Sequence, residues 1–249
     1  MSDALLVARS GSTLELTLNR PAQRNALSRE LIDRLTVELR AAVGDETIRS
    51  VLLSGTPPAF CAGLDLRELA GTEPAVGTHD TSALAELYET IDGLPKPVIA
   101  AINGPAVAGG AGLVSVCDIV ICGAAAQIGY PGVRHGLVAP IVMTYLLRLV
   151  GERRAKYLLL TGELLTANEA VAYGLASEVV PDGELLVRAR GCAELFATCP
   201  PAALAQTKAL LGRLRELRGA EGVAEARRLS TSLPLTAEVR ASLARFLEG

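Results

Sequence analysis

Residues 98–117 form a run of twenty without a single charged side chain. A stretch of that length and polarity could cross a bilayer as one helix, because about 20 apolar residues span the hydrocarbon core. Asn103, Pro105 and four glycines interrupt it, however, and proline and glycine break or weaken a helix. The remaining solution is a buried apolar strand over residues 98–102, a glycine-rich turn, and a helix, all enclosed by the rest of the chain. This places the segment at the centre of a layered domain and requires flanking helices to cover it.

The neighbouring segments fit that requirement. Leu14-Glu-Leu-Thr-Leu18 alternates as a half-buried strand should, and Val51-Leu-Leu-Ser54 and residues 119–122 read as short apolar strands. Ser28 can cap a helix in which Leu31, Leu35 and Leu39 recur at four-residue spacing. Thr166-Ala-Asn-Glu169 has the form of a capping box, opening a helix that stops at Gly174. Gly71, Pro74 and Gly77 make residues 70–82 the expected mobile loop. Residues 184–247 read as successive helices broken at Pro200-Pro201, Gly219 and Pro234. The chain therefore divides into an α/β core over residues 1–183 and a helical C-terminal region over residues 184–249.

Composition narrows the function classes. Half of the 249 residues are hydrophobic, but only 3% are aromatic and none is Trp, so Ala, Val and Leu do the packing. So aliphatic a chain is expected to bury further surface between subunits. The net charge of -3 is dispersed, and Glu216 and Glu221 interleave the one arginine cluster (Arg213, Arg215, Arg218). No basic stripe suited to nucleic acid emerges. Five cysteines without a Cys-x-x-Cys pair predict reduced, mostly buried thiols and no zinc site. No apolar run between Asp3 and Arg9 is long enough for a signal peptide, and a soluble, cytoplasmic protein is expected.

Three segments carry a resemblance. Phe60-Cys-Ala-Gly-Leu-Asp-Leu66, Asn103-Gly-Pro-Ala-Val-Ala-Gly-Gly-Ala-Gly112 and Ile128-Gly-Tyr-Pro-Gly132 together resemble the enoyl-CoA hydratase/isomerase family, the crotonase superfamily. Asn19-Arg-Pro21, Asn25-Ala-Leu27, Ala167-Asn-Glu-Ala170 and Tyr173-Gly-Leu175 extend the likeness along the chain. The resemblance implies a crotonase-like spiral core of repeated β-β-α turns, with a helical C-terminal trimerisation region, and a homotrimer or dimer of trimers. It implies an acyl-CoA thioester substrate, with CoA entering as part of the substrate and no separate cofactor. CoA would contact Arg24, Ala26, Ala62, Asp65 and Leu66, and the backbone N–H groups of Leu64 and Gly109 would form an oxyanion hole. A glycine turn opening a helix supplies such unpartnered donors, and two of them can polarise a thioester carbonyl.

In the family's hydratases the positions matching Gly112 and Gly132 are both glutamate. Water addition needs one group to activate water and one to deliver a proton, each contributing roughly 10²–10⁴-fold. Losing both removes about 5–11 kcal/mol of transition-state stabilisation. Few substitutes are in view. Tyr130, beside Pro131-Gly132, could donate to the acyl group. His79, His135, Glu86, Tyr88 and Glu89 are lesser candidates, and Asp118 is expected to anchor the turn after the glycine-rich helix. Three readings follow. One is an enolate-stabilising acyl-CoA enzyme such as a decarboxylase, isomerase or thioester hydrolase. The others are a divergent hydratase with a relocated acid and base, and a non-catalytic CoA-thioester binder.

Overall fold

Leu14, Leu16 and Leu18 turn inward from strand β2 (Thr13–Leu18), which pairs antiparallel with β1 (Leu5–Ser10) and parallel with β3 (Ser50–Gly55). A computed structural model of the chain describes residues 3–71, 81–215, 217, 219–232 and 237–248. The sheet continues in parallel through β4 (Val98–Ile102), β6 (Ile119–Gly123) and β9 (Glu178–Val180), in the order β1-β2-β3-β4-β6-β9. β3 and β4 are buried along their whole length, as parallel strands covered on both faces must be.

The period-two alternation of these strands builds two hydrophobic layers. Val51, Leu53, Val98, Ala100, Ile102 and Val120 face one layer. Helix α1 (Arg29–Gly44) contributes Leu31, Leu35 and Leu39 to it, and α3 (Ser82–Gly93) contributes Leu84, Leu87 and Tyr88. Ser28 caps α1, its hydroxyl accepting from the Leu31 N–H at 3.3 Å. Leu52, Ile99, Ala101 and Ile121 face the opposite way and meet Leu185, Ala189 and Ala193 of α7 (Leu185–Thr198). The first helix after residue 184 thus closes the second face of the sheet.

At the end of β4 the chain leaves this sheet for a second one, β5 (Ala106–Val107), β7 (Gln127–Gly129) and β8 (Leu164–Thr166). Gly104 lies at the crossing, where a Cβ would stand 2.7 Å from the Pro58 carbonyl oxygen. Helix α4 (Gly109–Val116) follows and is wholly buried, so residues 98–117 form the strand, turn and helix the sequence predicts. Helix α5 (Pro140–Thr161) packs against α4 and buries Val142, Leu146 and Val150 in the core. No helix among the described residues is long and apolar enough to cross a membrane. The capping box of α6 (Ala167–Tyr173) is present, with Thr166 and Glu169 bonding reciprocally and Gly174 ending the helix in the left-handed region. Helices α8 (Pro201–Leu214), α9 (Ala220–Ser232) and α10 (Ala237–Glu248) complete the chain. Residues 72–80, most of the expected mobile loop, lie outside the described residues, and His79 with them.

Candidate active site

Two loops and one helix start make the site. The first loop depends on Asn25, fully buried with a left-handed φ of 56°. Its amide nitrogen donates to the carbonyl oxygens of Thr56 (2.8 Å) and Ala59 (2.7 Å), and its amide oxygen accepts from the Arg20 N–H (2.8 Å). A buried amide that satisfies three backbone groups holds loop geometry firmly. The loop is then stitched to the segment after β3. Ala62 N–H donates to Arg24 O, Leu27 N–H to Gly63 O, and Asp65 N–H to Leu27 O, at 2.7–3.0 Å. These bonds gather Arg24, Ala26, Ala62, Asp65 and Leu66 along one edge, with Arg24 and Leu66 exposed and Ala26 and Asp65 buried.

Asp65 is committed rather than free. Its carboxylate accepts from Arg20 Nη2 at 2.8 Å and from the Arg67 N–H at 3.1 Å, at the start of α2 (Leu66–Gly71). Burial works against its charge, but the Arg20 and Arg67 hydrogen bonds outweigh it and hold the carboxyl below the usual range. A carboxylate so neutralised is a poor proton acceptor.

The second element is the start of α4, which meets the first loop backbone to backbone. A Cβ on Gly63, whose φ is +87°, would lie 3.0 Å from the Gly109 nitrogen, and one on Gly109 would lie 3.5 Å from the Leu64 nitrogen. Gly110 is packed more tightly than either, since its Cβ would stand 2.2 Å from the Cys61 carbonyl oxygen. The thiol of Cys61, enclosed here, is pushed up to about 12 by burial and stays unionised. Gly109 is the first residue of α4, whose N–H has no intrahelical partner. Among the described residues neither its N–H nor that of Leu64 donates to another backbone group. Two adjacent unpartnered donors on rigid turns are what a carbonyl oxygen needs in order to be polarised.

The two glycines that matched in the sequence differ in three dimensions. Gly132 is half-buried in a mostly exposed 3-10 turn (Pro131–His135), and a Cβ there would make only ordinary contacts with Leu137, the nearest at 3.4 Å. Gly112 is enclosed. A Cβ on it would fall 2.2 Å from the hydroxyl oxygen of Tyr88 and 2.6 Å from that ring's Cζ. Tyr88 is fully buried, its hydroxyl donates to the Gly109 carbonyl oxygen at 2.6 Å, and its ring meets that of Tyr145 on α5 edge-on at 6.0 Å. Burial raises the phenol well above its ordinary range, so it is a neutral donor at any physiological pH.

The other candidates fall as follows. Tyr130 is buried, and its hydroxyl bonds Ser115 Oγ at 3.0 Å. Ser115 in turn donates to the Ala111 carbonyl oxygen, which makes Tyr130 the donor of the pair. Glu86 is exposed and paired with Arg40 at 2.5 Å; Glu89 and His135 are also exposed. Asp118 bonds the Val98 N–H (2.8 Å) and Lys208 Nζ (2.7 Å), tying β4 to α8. Sequence reading misses Ser115, although a hydroxyl on an otherwise apolar buried helix is a usable signal. Asn25 and Tyr88 are visible in the sequence, but the contacts that give them their importance are not.

Gly110→Ala tests how tightly the two turns are matched. The helix-propensity gain of about 1 kcal/mol is outweighed by a clash with backbone that cannot rotate away, at or above the upper end of overpacking costs, about 3 kcal/mol. The melting temperature should fall by about 4–8 °C after that offset, read by calorimetry. An unchanged Tm would mean the turns are farther apart than described.

Known proteins resemble this chain along nearly its whole length. The family model described as enoyl-CoA hydratase/isomerase matches residues 8–249. The chain is 36% identical to a 2,3-dehydroadipyl-CoA hydratase of Escherichia coli over 98% of its own length and 95% of that protein's. Among solved structures, an enoyl-CoA hydratase of Mycobacterium smegmatis superposes with a TM-score of 0.94 at 31% identity, covering 99% of this chain and 97% of that one. One from Bacillus anthracis superposes with a TM-score of 0.93 at 32% identity, covering 99% and 96%.

Proposed function

This chain belongs to the enoyl-CoA hydratase/isomerase family, and on that premise we propose that it is an acyl-CoA enzyme that stabilises a thioester enolate between the N–H groups of Leu64 and Gly109. The observation that carries the reading is the pair of unpartnered donors on two turns in backbone contact. Arg24, exposed at the edge beside Ala62, suits a CoA phosphate, and the thioester oxygen would accept both N–H bonds.

The chemistry favoured is one that forms the enolate without an acid and base at positions 112 and 132. Decarboxylation of a malonyl-type thioester meets that condition. The bond between Cα and the carboxylate breaks, carbon dioxide leaves, the electron pair stays on Cα as the enolate, and water supplies the proton. The two donors would stabilise the charge as it develops on oxygen. A second reading, a hydratase with a relocated acid and base, draws on the hydratase name of the Escherichia coli relative.

The test is binding and turnover together. Titration calorimetry should show saturable binding of malonyl-CoA and butyryl-CoA but not of malonate or butyrate. Malonyl-CoA should release carbon dioxide. Absence of heat with every thioester would overturn the reading, and binding without carbon dioxide release from malonyl-CoA or methylmalonyl-CoA would remove the decarboxylase assignment.

A further inference from the structure

We propose that Tyr88 is a positioning and specificity-determining residue of this site, with a phenol that takes the volume of a residue-112 side chain and pins the peptide that follows the Gly109 donor. The inference rests on the enolate reading above and deepens it. Three observations lead to it. A Cβ on Gly112 would meet the Tyr88 hydroxyl, Cζ and Cε2 at 2.2, 2.6 and 2.9 Å, so residues 88 and 112 share one space. Tyr88 cannot swing out, because it is fully buried within the α3–α4 packing and held edge-on by Tyr145. Its hydroxyl donates to Gly109 O at 2.6 Å, on the same residue whose N–H is unpartnered.

The consequences are chemical. Where a carboxylate at 112 would hold and activate water, this site presents a neutral phenol already committed to a backbone carbonyl. No room remains there for a water and an acid together. The glycine at 112 is therefore the partner of Tyr88, since any larger residue would compete for the same volume. The less crowded flank is at Gly132, where a Cβ would meet only Leu137, at 3.4 Å or more. The hydrogen bond to Gly109 O fixes the first turn of α4, and an oxyanion donor acts through such fixed geometry rather than through contact area.

The experiment has two arms on the full chain. In the first, Gly112→Ala is made in the wild type and in a Tyr88→Leu background, where the shorter side chain keeps the core filled. Gly112→Ala should lower the Tm by about 5 °C or more in the wild type and by little or nothing in the Tyr88→Leu background. In the second arm, cinnamoyl-CoA serves as the probe, since polarisation of its conjugated carbonyl moves its absorption band to the red. Tyr88→Phe keeps the ring and loses the hydroxyl. It should bind the probe within a few-fold of wild type yet lose part of the red shift at saturation, a change that a merely structural role would not produce. An equal Tm penalty in both backgrounds, or a full red shift with Tyr88→Phe, would overturn the Tyr88 assignment alone. A wild type that binds cinnamoyl-CoA with no red shift would overturn the enolate reading as well.

Discussion

Crotonyl-CoA should be hydrated by this protein roughly 10⁴–10⁸-fold more slowly than by a family hydratase with glutamates at both matching positions, two positioned acid–base groups being worth about 10²–10⁴-fold each. The assay follows loss of the conjugated thioester's ultraviolet absorbance. Restoring the pair is not a matter of two substitutions, however. Gly132→Glu should fold, because its Cβ meets nothing closer than 3.4 Å, whereas Gly112→Glu drives a buried carboxylate into the Tyr88 ring, with overpacking and desolvation costs together. The variant expected to gain hydration is the triple one, Tyr88→Ala with Gly112→Glu and Gly132→Glu. Gly112→Glu with Gly132→Glu should be destabilised and inactive. Rapid hydration by the wild type would refute this expectation and place an acid and base among residues treated as bystanders, with Glu89, one position from Tyr88 on α3, the first to substitute.

Gly109→Pro should lower any thioester turnover by about 10²–10³-fold, the loss typical of deleting one oxyanion donor. The position suits the test, although proline also constrains Ala108 before it, whose φ is 50°. Gly109 is the first residue of α4, in the first helical turn, where proline is tolerated and no intrahelical hydrogen bond is lost. An added Cβ there meets Gly63, Leu64 and Tyr88 only at 3.5 Å, ordinary contact distance. Gly109→Ala, which adds volume but keeps the N–H, is the control. Equal losses in the two variants would assign the effect to crowding, and unchanged turnover in a folded Gly109→Pro protein would mean that the carbonyl is polarised elsewhere.

Much of the architecture was legible in one dimension. The apolar stretches of residues 51–54 and 98–102 could be satisfied only as covered strands, Ser28 and Thr166 announced their helices, and the interrupted run of residues 98–117 could only be a strand, a turn and a helix. These are local consequences of side-chain polarity, backbone freedom and capping chemistry, all of which act between residues close in the chain. The pairing of the glycine turn at 109–110 with residues 60–66 was legible only as a resemblance, because backbone contact between segments some forty residues apart leaves no local mark. The tertiary structure alone decided that Asp65 belongs to Arg20, that α7 covers the second face of the sheet, and that Gly112 and Gly132 are not equivalent. The last difference is steric: one glycine lies against solvent and Leu137, while the other lies under a buried phenol that helix α3 brings in from residue 88. Whether a missing side chain leaves an opening or a filled space depends on what packs there, and that is set by contacts across the fold.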